Sequence, residues 1–127
     1  MGKIKLKKKT LMLFAMVSMV TIMLSSQVLA AWYTSTITLP RNGWWYTVER
    51  TATSNVQKTR VSKPKYDVVS NIASPRNVKL SSNKTHTKNK TITNTHVTGA
   101  KGAKVKGAFR SSIINQRTNR VTLSWEP

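Results

Sequence analysis

Beyond residue 30 the sequence shows a two-residue alternation of apolar and polar side chains and nowhere a 3.6-residue period, which restricts the chain to strands rather than helices. Residues 31–39 place Tyr33, Ile37 and Leu39 on one face and Thr34, Thr36 and Thr38 on the other. Pro40-Arg41-Asn42-Gly43 follows as turn chemistry: proline presets φ and Asn-Gly tolerates positive φ. Residues 44–53 resume the alternation, with Trp44, Tyr46 and Val48 opposing Trp45, Thr47 and Glu49. Two such runs across a short turn predict a hairpin. Its first set faces the core, so Trp45 faces outward, as does Trp32.

Further strands are expected at 56–62, 66–72, 77–81, 91–98, 103–112 and 120–125, separated by Lys63-Pro64, Ser74-Pro75 and Gly99-Ala100-Lys101-Gly102. In 103–112, Ala103, Val105, Gly107 and Phe109 face inward while Lys104, Lys106 and Arg110 face outward; Val121, Leu123 and Trp125 form the inward set of 120–125. Residues 81–90 hold no apolar side chain, and an exposed basic loop is expected there. The fold class is all-β: a small antiparallel β-sandwich or barrel of about seven or eight short strands. Disorder competes, because Leu, Ile, Val and Phe supply only 18 of residues 31–127. Four tryptophans and three tyrosines in that region favour a packed core.

Residues 1–30 have the three parts of a cleaved helical signal peptide. Lys3, Lys5, Lys7, Lys8 and Lys9 form a basic head, residues 11–24 are apolar apart from Ser18 and Thr21, and Val28-Leu29-Ala30 is a peptidase site. The apolar run is shorter than the roughly twenty residues a membrane span needs. The domain division is therefore a leader, 1–30, and one secreted basic module, 31–127, found outside the cell or on its wall.

The leader takes five of the 22 Lys and Arg residues, which leaves 17 against Glu49, Asp67 and Glu126, a net charge of +14 on 97 residues. No cysteine is available to staple so small a module, so packing and backbone hydrogen bonds must hold it. So one-sided a charge favours a polyanionic partner. Three separated acids give no paired-carboxylate site, no Gly-x-Ser-x-Gly elbow is present, and His86 and His96 lack metal-ligand spacing. The sequence therefore points away from an enzyme and calls for no cofactor and no metal.

The candidate anionic-partner residues are Lys79, Lys84, Lys88, Lys90, Lys101, Lys104, Lys106 and Arg110; Trp32 and Trp45 are candidates for membrane or sugar contact. The partner expected is an anionic cell-wall polymer or an anionic membrane surface; export disfavours nucleic acid. The function expected is a secreted cationic protein that binds an anionic bacterial surface, antimicrobial or bacteriocin-like, with a non-toxic matrix or wall-associated protein as the alternative. Cleavage between Ala30 and Ala31 predicts that N-terminal sequencing of the exported protein begins Ala-Trp-Tyr-Thr; a start at Met1 in the medium would refute the leader.

Overall fold

A computed structural model describes residues 30–112 and 117–127. The expected leader lies outside the described residues except for Ala30. The described chain is all-β, with β1 (Tyr33–Leu39), β2 (Trp45–Tyr46), β3 (Arg50–Thr51), β4 (Val56–Ser62), β5 (Val68–Ala73), β6 (Lys84–His86), β7 (Ile92–Val97), β8 (Lys104–Ser111) and β9 (Asn119–Glu126). Every pairing is antiparallel. One sheet has the order β1-β9-β4-β7; the other runs β2-β8-β5-β6, with β3 continuing the β2 edge along β8.

The two sheets close on a shared core. Leu39, Val61, Val121, Leu123 and Trp125 from the first meet Val68, Ile72, Val105 and Phe109 from the second. The inward residues expected on β1 and β9 are those observed, as are Val105, Gly107 and Phe109 on β8; Ala103, also expected inward, is exposed in the turn before that strand.

The predicted first hairpin does not form. β1 pairs with β9 over seven residue pairs, Tyr33↔Trp125 to Leu39↔Asn119. The turn through Gly43 (φ 79°) instead carries the chain to the edge of the other sheet. Alternation marks which side chains share a face, and any strand of matching pattern can supply the ladder.

The parity after the turn is also the reverse of that expected. Trp45 pairs with Phe109 and packs on the core, its ring 6.2 Å from the Phe109 ring, while Val48 is 67% exposed. Thr47 then breaks the edge strand: its N–H donates to the Gly107 carbonyl and its hydroxyl accepts from the Gly107 N–H, both at 2.9 Å.

Two further expectations change. Residues 77–81 form no regular strand but turn back on β5 through the single bridge Ala73↔Lys79. A tight turn closes there, with the Ser74 N–H donating to the Val78 carbonyl at 2.8 Å and Asn77 at φ 64°. The predicted loop 81–90 contains β6, which pairs with β5 at Val68↔His86 and buries His86 completely. Between the Lys79 bridge and the Ser70↔Lys84 pair the register shifts by two residues, and the bulge turns Ser81 inward.

The close contact between β8 and its neighbours generates a test. A Cβ on Gly107 would stand 3.1 Å from Phe109, 3.2 Å from Thr47 and 3.3 Å from Trp125. Gly107→Val is expected to lower unfolding free energy by roughly 1–3 kcal/mol through overpacking, read by denaturant titration. Unchanged stability would mean that the sheets are looser here than described.

Candidate functional site

The outer face of the second sheet is where aromatic and basic side chains converge. β5 is buried along its whole length. Val68, Ser70 and Ile72 face the first sheet, so Val69, Asn71 and Ala73 must be covered from outside. The cover comes from the β2 edge and from the outward residues of β8. Tyr46 pairs with Ala108, and Ala108 with Asn71, so the three lie in one row across the sheet. Asn83 extends that row by accepting a hydrogen bond from Asn71 Nδ2 at 3.0 Å.

Between these elements lies a groove of about 490 Å³, lined mainly by Trp44, Tyr46, Asn71, Asn83, Lys79 and Arg110. The Arg110 guanidinium stands 5.2 Å from the centre of the Trp44 ring, and Lys106 Nζ 5.9 Å from that of Tyr46. Both lie within the reach of cation–π attraction. Lys106 Nζ also donates to Asn77 Oδ1 at 3.1 Å. Asn71 is only 3% exposed, and its Oδ1 has no hydrogen-bond partner.

Of the basic candidates, Lys79 and Arg110 line this groove, and Lys106 stands beside it over the Tyr46 ring. Lys84 is half-buried on β6, near His96. Lys88 and Lys90 are exposed between β6 and β7, where the Lys88 N–H donates to Asp67 Oδ1 at 2.6 Å. Lys101 is exposed in the β7–β8 turn, and Lys104 borders a separate opening with Glu49 and Arg50. Trp32 is half-buried under the Arg60 guanidinium, 4.2 Å from its ring centre, beside the first sheet; Trp45 faces the core. Ala30 and Ala31 are exposed. Sequence reasoning missed Trp44, Tyr46, Asn71 and Asn83 as groove residues. The first two were legible as an alternating pair, but with the opposite parity.

A scan against protein-family models and searches of curated proteins and of solved structures found no match.

The histidines lie elsewhere, sealed between the sheets. His86 is 0% and His96 1% exposed, against Thr59, Ser70 and Ser81. Thr59 Oγ1 is 2.8 Å from Ser70 Oγ and 3.0 Å from His96 Nε2; Ser70 Oγ is 2.9 Å from His86 Nε2. His86 Nδ1 faces the Ile92 carbonyl at 3.3 Å, which only accepts, so Nδ1 carries the proton and Nε2 is bare. Ser70 then donates to His86 and Thr59 donates to Ser70. His96 Nε2 meets Thr59 Oγ1, and its Nδ1 meets Ser81 Oγ, which accepts the Ile72 N–H at 2.9 Å. The contacts form one continuous chain from the Ile72 N–H to the Ile92 carbonyl.

Burial lowers both histidine pKa values to about 4. The Ile92 carbonyl partly offsets this at His86, where charge on His96 adds to the depression. At His96 a backbone hydrogen bond to Ser82 partly offsets it, and Lys84 adds to it. A base whose pKa falls on folding stays neutral in the folded chain while the unfolded chain takes up protons below 6.5. Stability is therefore expected to be flat above pH 6.5 and to fall steadily between 6.5 and 4, read as the thermal midpoint against pH. With only three acids in the chain, little else titrates over most of that window. A midpoint that stays level down to pH 4.5 would refute neutral, buried histidines.

Proposed function

We propose that this chain is a secreted β-sandwich that binds an anionic bacterial cell surface through the outer face of its second sheet, and that it acts there as an antimicrobial, bacteriocin-like factor. The observation that carries the reading is the gathering of Lys79, Lys106 and Arg110 around Trp44 and Tyr46 on one face. Only three acids stand in the whole chain to oppose that charge. Lysines scattered along sheet edges serve solubility and discourage edge pairing. Cations brought together over aromatic rings beside a groove offer something more, a surface that joins charge to flat apolar contact. Exported cations of this density concentrate on polyanions by long-range attraction.

A second reading, a non-toxic wall or matrix protein, draws on the basic residues outside the groove. Lys88 and Lys90 lie between β6 and β7, Lys101 and Lys104 in or beside the β7–β8 turn, and all four are exposed. Such spread charge suits many weak contacts along a polymer.

Protein recovered from the medium of cells expressing the full chain is expected to bind Gram-positive walls in low salt and to be released at about 1 M salt, where the screening length is roughly 3 Å. Replacing Lys79 and Arg110 together by alanine is expected to weaken retention several-fold without loss of fold. Loss of viability in treated cells supports the antimicrobial reading, and retention without growth inhibition supports the matrix reading. Retention that ignores salt would defeat both.

A further inference from the structure

We infer that the groove over β5 is a glycan subsite, built to take one ring of an anionic sugar polymer. The inference rests on the surface-binding reading above and names what that surface recognises. Its central observation is the Asn71 side chain. Asn71 Nδ2 is committed to Asn83, yet Oδ1 is buried and accepts nothing. Of the four buried side-chain polar atoms without a partner among the described residues, Asn71 Oδ1 is the one whose residue lines the groove. The oxygen is covered in the free protein, so a group seated on the groove floor reaches it only with a shift of the Asn71 side chain, which lines that floor.

The groove's chemistry selects the class of that group. A pyranose ring has an apolar C–H face and an equator of hydroxyls. Trp44 and Tyr46 present rings for the first, and the amides of Asn71, Asn77 and Asn83 match the second. A volume of about 490 Å³ suits a small-molecule portion rather than a flat polymer face. Arg110 and Lys79 border the same groove, where a carboxylate or phosphate substituent on the sugar meets them. An acyl chain would bring no donor for Asn71 Oδ1, and a sugar-free polyanion would leave the aromatic rings unused. In the bound state a sugar hydroxyl or N-acetyl N–H donates to Asn71 Oδ1, one aromatic ring stacks on the sugar, and Arg110 holds the anion.

The test compares three probes by calorimetry and tryptophan fluorescence: a hyaluronan tetrasaccharide as an anionic sugar, inorganic polyphosphate as a sugar-free polyanion, and phosphatidylglycerol vesicles. The tetrasaccharide is expected to bind saturably. Trp44→Ala and Asn71→Ala are each expected to weaken it about tenfold while leaving polyphosphate affinity unchanged. Trp44 is half-buried at the groove wall, so its variant keeps the test valid if the buried Asn71 change perturbs folding. Equal loss for both soluble probes, or none for either, overturns the glycan subsite and leaves the electrostatic reading standing. Trp44-dependent vesicle binding without tetrasaccharide binding overturns it in favour of a membrane. No binding to any probe defeats both readings.

Discussion

The hydrogen bond between Thr59 and Ser70 stands at the centre of a polar network that ties the two sheets by more than apolar contact. Each hydroxyl carries an imidazole on its other side, and each imidazole continues to a strand or a bulge of the opposite or the same sheet. The relay is fully satisfied only when β4, β5, β6, β7 and the Ser81 bulge are all in place. Polar groups sealed in a low-dielectric core are costly when unpaired and specific when paired. In a chain with no cysteine, this network does the positional work that a disulfide does in many exported domains. The apolar cluster centred on Trp125 and Phe109 supplies burial; the relay decides which arrangement of strands is allowed to have it.

Charge is the second constraint, and the solution is unusual in kind. With so few carboxylates, the basic side chains find partners in aromatic faces. Arg50 lies 3.4 Å from the centre of the Tyr33 ring, Arg60 4.2 Å from Trp32, and Arg110 and Lys106 sit over Trp44 and Tyr46. Such contacts leave the net positive charge undiminished, unlike ion pairs. The surface thus keeps its full attraction for anions while its long side chains are held against something.

Much of the fold was legible in the sequence because the alternation of β1, β8 and β9 is strict. Tyr33, Ile37 and Leu39, Val105 and Phe109, and Val121, Leu123 and Trp125 can each face a core in only one way. Pairing was not legible. β1 and the segment after Gly43 are adjacent in sequence and compatible in pattern, yet β9 offers β1 a longer ladder. The parity of Trp44 and Trp45 was misread because one turn residue more or less inverts every face beyond it. β6 was hidden because its inward residue is a histidine in a stretch without an apolar side chain. Its signal is the polar core itself, visible only once Thr59, Ser70 and His96 are seen to meet it. The groove was half legible: its cations stood out, whereas Asn71 and Asn83 are ordinary asparagines until the ladder sets them side by side.

The burial of the relay also makes it a check on alignment. Thr59 lies between Lys58 and Arg60 in β4, so a slip of one residue against either neighbour would turn a full charge toward His86 and His96 in place of a hydroxyl. Burying an unpaired cation there is far more costly than losing one hydrogen bond. In a threonine-rich chain whose strands share so similar a pattern, the buried Thr59 thus fixes register as well as contributing to stability.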